Sequence, residues 1–468
     1  VKSFLVKSFI ALVPDMPIYS HQFGKDFHWG VASSAYQTEG APQEDGKGLS
    51  IWDVFTRRPG VIKNNHNGNR ATDFYRRFIQ DIILMEFLGI RNFRFSLSWP
   101  RLIPEGTGRK AEKGIEFYNR VIDFCLECGI EPWITLYHWD LPQTLEEKGG
   151  WTNRDMIRWF EDYVVFCIQQ FGDRVKRWMV LNEPMAFTGA GYFLGLHAPG
   201  RKGLSNFLPA VHHAALCQAQ GIRVIQSLNA RLKVGTTFSC APVDGLDATR
   251  FSQEAAQRVD VFSNRLFVEP LLGLGYPWHE VKVLQQLERY MQAGDEQLLR
   301  AKPDFIGLQN YTREVARHST LMPYLNARLV KASKRGVSAT AMDWEIYPEG
   351  IYRALKRFQA YDNSIEIIIT ENGAAFPDRL EDGHVDDSDR IQFYQQYLAQ
   401  VLKAKQEGVN VNGYFAWSFT DNFEWAEGYS KRFGMVYVDY ATQRRIIKAS
   451  GFWLQNFLSS QQTMRKAV

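Results

Sequence analysis

Short runs of β-branched and aromatic residues recur along the chain, each nearly apolar throughout and each separated from the next by a polar or amphipathic stretch. Eight such runs predict strands at residues 28–34 (HWGVASS), 92–98 (NFRFSLS), 132–138 (PWITLYH), 177–183 (RWMVLNE), 233–239 (KVGTTFS), 304–310 (DFIGLQN), 366–372 (EIIITEN) and 413–419 (GYFAWSF). Helical patterns (DFYRRFIQDIILMEFLG, IEFYNRVIDFCLECG and RWFEDYVVFCIQQFG) precede the second, third and fourth. A strand covered on both faces has no polar side to show, so near-continuous apolar runs alternating with helices indicate a parallel sheet buried under helices. Eight such units predict an α/β fold, a single (β/α)8 TIM barrel with long βα loops. A doubly wound open sheet is the structural alternative. It would call for a Gly-rich first turn, and no G-x-G-x-x-G follows the first strand.

No Pro/Gly/Ser linker, repeat array or low-complexity tract divides the chain, so residues 21–460 are expected to form one barrel domain. Segments 240–303 and 313–345 are long between strands and read as a helical excursion and a lid-like loop. Residues 1–20 read as an extension or disordered N-terminus, and Met16 is the candidate natural start. Residues 461–468 read as a C-terminal tail. A signal peptide is not the expectation for the first segment, because Lys7 interrupts its apolar run and no A-x-A follows.

Charge and composition then remove whole classes of function. The 468 residues carry a net charge of +4, which leaves no electrostatic footprint for nucleic acid or an acidic membrane surface. No run approaches eighteen apolar residues, so no membrane span is expected. Five cysteines are an odd number and do not read as a disulfide framework; they fit a reducing, cytoplasmic setting. The pair Cys125 and Cys128 has redox spacing, but it closes a helical pattern, and a helix C-terminus disfavours a thiolate. Buried thiols are the expectation there. His212 and His213 lie on a helical pattern and read as packing or solvent-facing residues, and no H-E-x-x-H, P-loop or EF-hand pattern is present.

In a barrel of this kind the active site gathers at the C-terminal ends of the strands. Strand one runs on to Gln37 and Glu39, strand three closes with His138, Trp139 and Asp140, and strand four with Asn182 and Glu183. Strand six closes with Gln309, Asn310 and Tyr311, strand seven with Glu371 and Asn372, and strand eight leads to Asn422, Glu424 and Trp425. Amides, carboxylates, a histidine and tryptophans thus converge on one rim. Glu183 and Glu371 each follow an apolar strand directly, and two facing carboxylates are what glycoside hydrolysis requires. One buried glutamate alone would be read as a structural carboxylate, for example as a partner of Arg94. The 13 tryptophans fit a sugar site, since apolar sugar faces stack on aromatic rings while the hydroxyls need many polar partners. Trp139, Trp344, Trp417 and Trp425 are the candidate platforms, with Gln37, His138 and Glu424 gripping hydroxyls.

At these residues the chain resembles family 1 of the glycoside hydrolases, the β-glucosidase/β-galactosidase family on a (β/α)8 barrel. The resemblance rests on FHWGVASSAYQTEGA (27–41), YHWDLPQ (137–143), LNEP (181–184), DWEIYPEG (343–350), ITENG (369–373) and WSFTDNFEW (417–425), in order from about Phe23 to about Phe457. It implies Glu371 as nucleophile and Glu183 as general acid/base. Gln37, His138, Asn182, Glu424 and Trp425 would hold the glycone, Trp417 would lie beneath it, and Tyr311 would hydrogen-bond the nucleophile. The family's G-L-N-Y-Y motif reads GLQNY here (307–311), so Gln309 takes the usual Asn place with one methylene more.

The resemblance implies a retaining β-glycosidase that releases terminal non-reducing β-D-glucosyl, galactosyl or fucosyl residues by double displacement, with the carboxylates about 5–5.5 Å apart. Its partner would be a small-molecule β-glycoside or oligosaccharide, with no metal and no organic cofactor. A 6-phospho-β-glycosidase is the enzymatic rival, with Lys431 and Arg432 as its conceivable phosphate ligands. Against it, Glu424 stands where those relatives place a small residue, and a carboxylate repels phosphate. A thioglucosidase would lack Glu183. A non-catalytic sugar-binding relative would have lost one of the two glutamates, and both are present.

Overall fold

The computed structural model describes residues 18–322 and 324–465. The expected extension therefore lies outside the described residues up to position 17, Met16 included, as do positions 466–468. Ile18 is buried, and the Ser20 hydroxyl donates to the Phe457 carbonyl at 2.7 Å. The last helix runs Ala449–Arg465.

Eight strands close into one parallel barrel: β1 His28–Ala32, β2 Asn92–Ser96, β3 Glu131–Tyr137, β4 Arg177–Asn182, β5 Lys233–Ser239, β6 Phe305–Gln309, β7 Glu366–Asn372 and β8 Val411–Trp417. Each pairs with its neighbours in sequence, and β1 closes the ring on β8, His28 opposite Gly413 and Ala32 opposite Trp417. All eight fall on the predicted runs, within two residues at either end. Helices lie between the strands, among them Phe74–Phe87, Glu112–Glu127, Met156–Phe171, Leu204–Leu228, Glu349–Tyr361 and Ser388–Gln406.

Side chains alternate along a strand with period two, and that alternation sorts the barrel's contents. Outward residues join the large apolar layer between barrel and helices, to which Phe93 and Phe95 of β2 belong. Inward residues fill the barrel, where Trp133, Met179, Phe305, Ile368 and Phe415 pack together under Trp417 and Phe433. Arg94 lies between Phe93 and Phe95 and so points into the barrel, fully buried. Gly373 marks where strand ends come closest: a Cβ there would stand 1.9 Å from the Trp417 carbonyl oxygen. A side chain at 373 would therefore push apart the ends of β7 and β8, which carry Glu371 and Trp417.

Segment 240–303 is helical as expected, with Arg250–Asp260 its longest helix. Segment 313–345 is more ordered than a lid-like loop. Its strands Glu314–His318 and Ala327–Leu329 form a three-stranded sheet with Val243–Gly245, Val243 pairing in parallel with Glu314. All five cysteines are free; Cys125 is buried, whereas Cys128, just past the helix end, is only half-buried. His212 and His213 are packing residues: His212 lies between the Tyr276 hydroxyl (3.0 Å) and the Asp295 carboxylate (2.8 Å), and His213 meets the Trp151 carbonyl at 2.9 Å. No helix among the described residues is long and apolar enough to cross a membrane.

Candidate active site

The C-terminal ends of the strands surround a cavity of about 410 Å3, and its walls include Glu183, Glu371, His138, Tyr311, Trp344, Trp417, Glu424 and Trp425. Eight of the eleven expected site residues therefore share one cavity. The other three, Gln37, Asn182 and Gln309, are completely buried and stand behind its wall, bonded to residues that line it.

Glu371 is the last residue but one of β7 and is 3% exposed. Arg94 Nη1 donates to its Oε1 at 2.5 Å, and the Tyr311 hydroxyl donates to its Oε2 at 2.6 Å. Arg94 also bonds the Thr370 carbonyl, Thr135 Oγ1 and Asn182 Oδ1, at 3.2, 3.1 and 2.5 Å. Four anchors on three strands, β3, β4 and β7, leave the guanidinium one orientation. Burial raises the carboxyl of Glu371, while Arg94, Tyr311 and Gln309 pull against that rise by favouring the charged form.

Glu183 follows β4 in a different setting. It precedes the short helix Pro184–Thr188 with φ +44°, its N–H donating to the Thr237 carbonyl at 3.0 Å. Among the described residues no cation pairs with its carboxylate. Burial and the nearby charge of Glu371 push its carboxyl up to about 8, opposed by a hydrogen bond from Ser239 and by the more distant Arg94. Equivalent side chains thus meet opposite surroundings: one is clamped by a cation and a hydroxyl, the other is buried beside a negative charge. Such a split favours the charged form at Glu371 and the protonated form at Glu183.

The polar residues around the pair form a connected set. Asn182 Oδ1 accepts from Arg94, from Thr237 (3.0 Å) and from Gln309 Nε2 (2.8 Å), and its amide nitrogen meets His138 Nε2 at 3.1 Å. Gln309 therefore reaches Asn182 despite its extra methylene, and its own Oε1 is left buried without a partner. His138 Nδ1 is likewise unpartnered, and burial with the Arg94 charge keeps the ring neutral, well below its ordinary pKa. Gln37 holds the Phe423 carbonyl at 2.8 Å and reaches Glu424 Oε2 at 3.4 Å. Burial and the Glu371 charge push Glu424 up to about 8.

The aromatic residues make two walls. His138 stacks on both Trp417 and Trp425, with centroids 6.0 and 5.9 Å apart, and Trp139 packs on Trp425 at 4.4 Å. Trp139 is also structural, since its ring N–H donates to the Asn182 carbonyl at 2.8 Å. In the second wall Trp344 packs on Tyr311 and Phe433. Trp139 and Trp425 share with Glu183 a left-handed backbone, φ +80° and +41°. Such strain gathers at functional sites, where packing over-determines it.

Sequence reasoning missed Ser239, Cys240, His197, Glu314 and Phe433, which also line the cavity. Ser239 and Cys240 were within reach, because Ser239 ends β5, Cys240 follows it, and the strand-end rule applies to that strand as to the others. His197 and Phe433 lie on loops with no such signal. Lys431 and Arg432 are engaged elsewhere: Lys431 bonds the Ala341 carbonyl, and Arg432 pairs with buried Asp421 at 2.5 Å. Among the described residues no group of three or more His, Cys, Asp or Glu is placed to hold a metal ion.

Residues 19–463 match the profile of Glycosyl hydrolase family 1. Beta-glucosidase A of Thermotoga maritima is 43% identical over 441 residues, 94% of this chain and 98% of that protein. Beta-glucosidase A of Acetivibrio thermocellus is 41% identical over 446 residues, with 94% and 98% covered. Among solved structures, the beta-glucosidase from Thermotoga maritima in complex with glucoimidazole superposes with a TM-score of 0.88 at 43% identity, covering 93% of this chain and 98% of that one. The AHE enzyme from Alicyclobacillus herbarius superposes with a TM-score of 0.90 at 38% identity, covering 94% and 98%.

Proposed function

This chain belongs to glycosyl hydrolase family 1, and from that premise we propose that its cavity releases terminal non-reducing β-D-glucosyl residues from β-glucosides and short oligosaccharides with retention of configuration. The observation that carries the reading is the unequal setting of the two glutamates in one cavity: Arg94 and Tyr311 on Glu371 and, among the described residues, no paired cation on Glu183.

A Glu371 oxygen attacks the anomeric carbon. As that bond forms, the bond to the glycosidic oxygen breaks, and Glu183 gives its proton to the departing oxygen. The glycosyl ester has no charge at residue 371, so the main charge holding Glu183 protonated is gone and its pKa falls. Glu183 can then take a proton from water, whose oxygen attacks the same carbon and releases Glu371. Two inversions at one carbon give net retention, for which the carboxylates should stand about 5–5.5 Å apart.

His138, Glu424, Trp417 and Trp425 face the glycone, while Gln37, Asn182 and Gln309 fix the side chains that touch it. The pinned state of Arg432 and Lys431 and the position of Glu424 on the cavity wall favour an unphosphorylated sugar over a 6-phosphate. Residues 21–460 serve this one site as a single catalytic barrel. The five unbonded thiols support a cytoplasmic location.

The test is nitrophenol release from 4-nitrophenyl β-D-glucoside by the parent and by Glu371→Ala, with the first-formed sugar anomer read by proton NMR. Release by the parent alone, with β-glucose appearing first, is expected. Activity that survives in the variant, or α-glucose appearing first, overturns the mechanism.

A further inference from the structure

Between the active-site cavity and the surface stands a carboxylate with no partner among the described residues. Glu314 opens the strand Glu314–His318, and its N–H donates to the Pro242 carbonyl at 2.9 Å. Its neighbour Arg313 is tied to Glu345 at 2.9 Å and to Asp244 at 3.1 Å, so the backbone here is fixed. Glu314 lines both the catalytic cavity and an outer groove of about 1440 Å3; Thr312, Met342 and Trp344 are the other residues common to both walls. Among the described residues its carboxylate has neither a hydrogen-bond donor nor a salt bridge. Burial pushes it up to about 7, and the one opposing charge is that of Arg335. The half-buried carboxylate opens onto the cavity, so its oxygens can accept from a ligand without giving up a bond to the protein.

The position says which part of a ligand that is. The cavity end formed by His138, Glu424 and Trp425 is backed by Gln37 and Asn182 and takes the terminal sugar. The wall shared with the groove gives whatever is attached to that sugar a way out toward the surface. Charge says what kind of group it is. The groove is lined by Arg317, Arg328, Lys331 and Lys334, all exposed and in no ion pair among the described residues, which disfavours a cationic group; Glu314 itself disfavours an anionic one. A neutral group rich in hydroxyls suits both.

We infer that Glu314 is a specificity-determining residue on the leaving-group side, its carboxylate accepting hydrogen bonds from hydroxyls of the second sugar of a β-linked oligosaccharide that lies against Trp344. The inference rests on the β-glucosidase reading above. An aryl leaving group brings no hydroxyl to this position, so Glu314 discriminates between the two substrate types.

The test is the ratio of kcat/KM for cellobiose to kcat/KM for 4-nitrophenyl β-D-glucoside, measured on one preparation of the parent, Glu314→Ala and Glu314→Gln. The ratio cancels any difference in folded fraction. Alanine should lower it about tenfold, the effect of losing one hydrogen bond to a charged acceptor. Glutamine keeps an acceptor oxygen and should stay within about threefold of the parent. An alanine ratio within twofold of the parent's, or a glutamine ratio as low as alanine's, overturns the role. A parent that hydrolyses neither substrate overturns the β-glucosidase reading, and this inference with it.

Discussion

Replacing Tyr311 by phenylalanine removes one oxygen from the site and leaves the ring in place against Trp344 and Phe433. That oxygen donates to Glu371 Oε2 at 2.6 Å. A hydrogen bond to a charged acceptor is worth about 1.5–3 kcal/mol, and one pKa unit is about 1.4 kcal/mol. Because the bond favours the ionised carboxylate, its loss raises the pKa of Glu371 by about one to two units. Attack requires the ionised form, so the acid limb of kcat/KM moves to higher pH by that amount. The alkaline limb belongs to Glu183, which must keep its proton and is pushed up to about 8. Glu371 is anionic on that side of the profile in both proteins, so its effect on Glu183 is unchanged and the alkaline limb stays. The expected result is a narrowed bell, displaced on one side only, in kcat/KM for 4-nitrophenyl β-D-glucoside. The two limbs report macroscopic values of the pair, which is why the contrast between them is the quantity to read. Equal displacement of both limbs, or an acid limb that does not move, would refute the assignment of Tyr311 and Glu371.

Glu183→Gln should erase the alkaline limb near pH 8 and slow poor leaving groups by about 10²–10⁴, with a smaller loss for 2,4-dinitrophenyl β-D-glucoside, whose departure needs no proton; pH profiles on both substrates check this, and a limb persisting near pH 8 counts against it. Asp421→Asn addresses stability. Buried Asp421 accepts from Lys448 Nζ at 2.6 Å, Arg432 Nη1 at 2.5 Å and the Gly434 N–H at 3.0 Å. Burial raises its carboxyl, but Lys448 and Arg432 outweigh that and hold it below its ordinary value. A folded-state pKa below the unfolded one means stability present at neutral pH and lost as pH falls through the folded value. The variant should lose about 3–5 kcal/mol in urea unfolding at pH 7, and the difference should shrink in acid; a difference that does not change with pH would contradict the argument.

The barrel was legible because its physics is local to each strand. A strand buried on both faces must be apolar nearly throughout, and β7 (EIIITEN) shows this in seven residues. The site was legible by the same contrast, since a polar residue at the end of such a run can only be on the rim. Glu183, Glu371, His138 and Tyr311 were found in this way. What escaped depends on pairings distant in sequence. Val243–Gly245 meets Glu314–His318 across about seventy residues, and its three half-buried positions carry no alternation to announce a strand. Segment 313–345 therefore read as a loop, and Glu314 could not be seen to face the cavity. His197 reaches Trp52, Trp139 and Trp425 only because the chain after β4 folds back over the rim.

The same division separates the chemistry from the choice of substrate. Residues that move protons and bonds sit at strand ends, where the hydrogen-bonded barrel fixes their positions: Arg94 can clamp Glu371 because β2 turns every second side chain inward, and Asn182 can collect three donors because β2, β5 and β6 present them at one level. The residues proposed to meet the leaving group stand on the small sheet and loops outside the barrel, held by contacts that sequence periodicity does not encode. Substitution there can alter what is attached to the sugar without moving the glutamates, because Glu183 and Glu371 are not among the charges that perturb Glu314. A change at Glu314 should therefore be read in the ratio of substrates, whereas a change at Tyr311 or Arg94 should be read in the pH profile of every substrate alike.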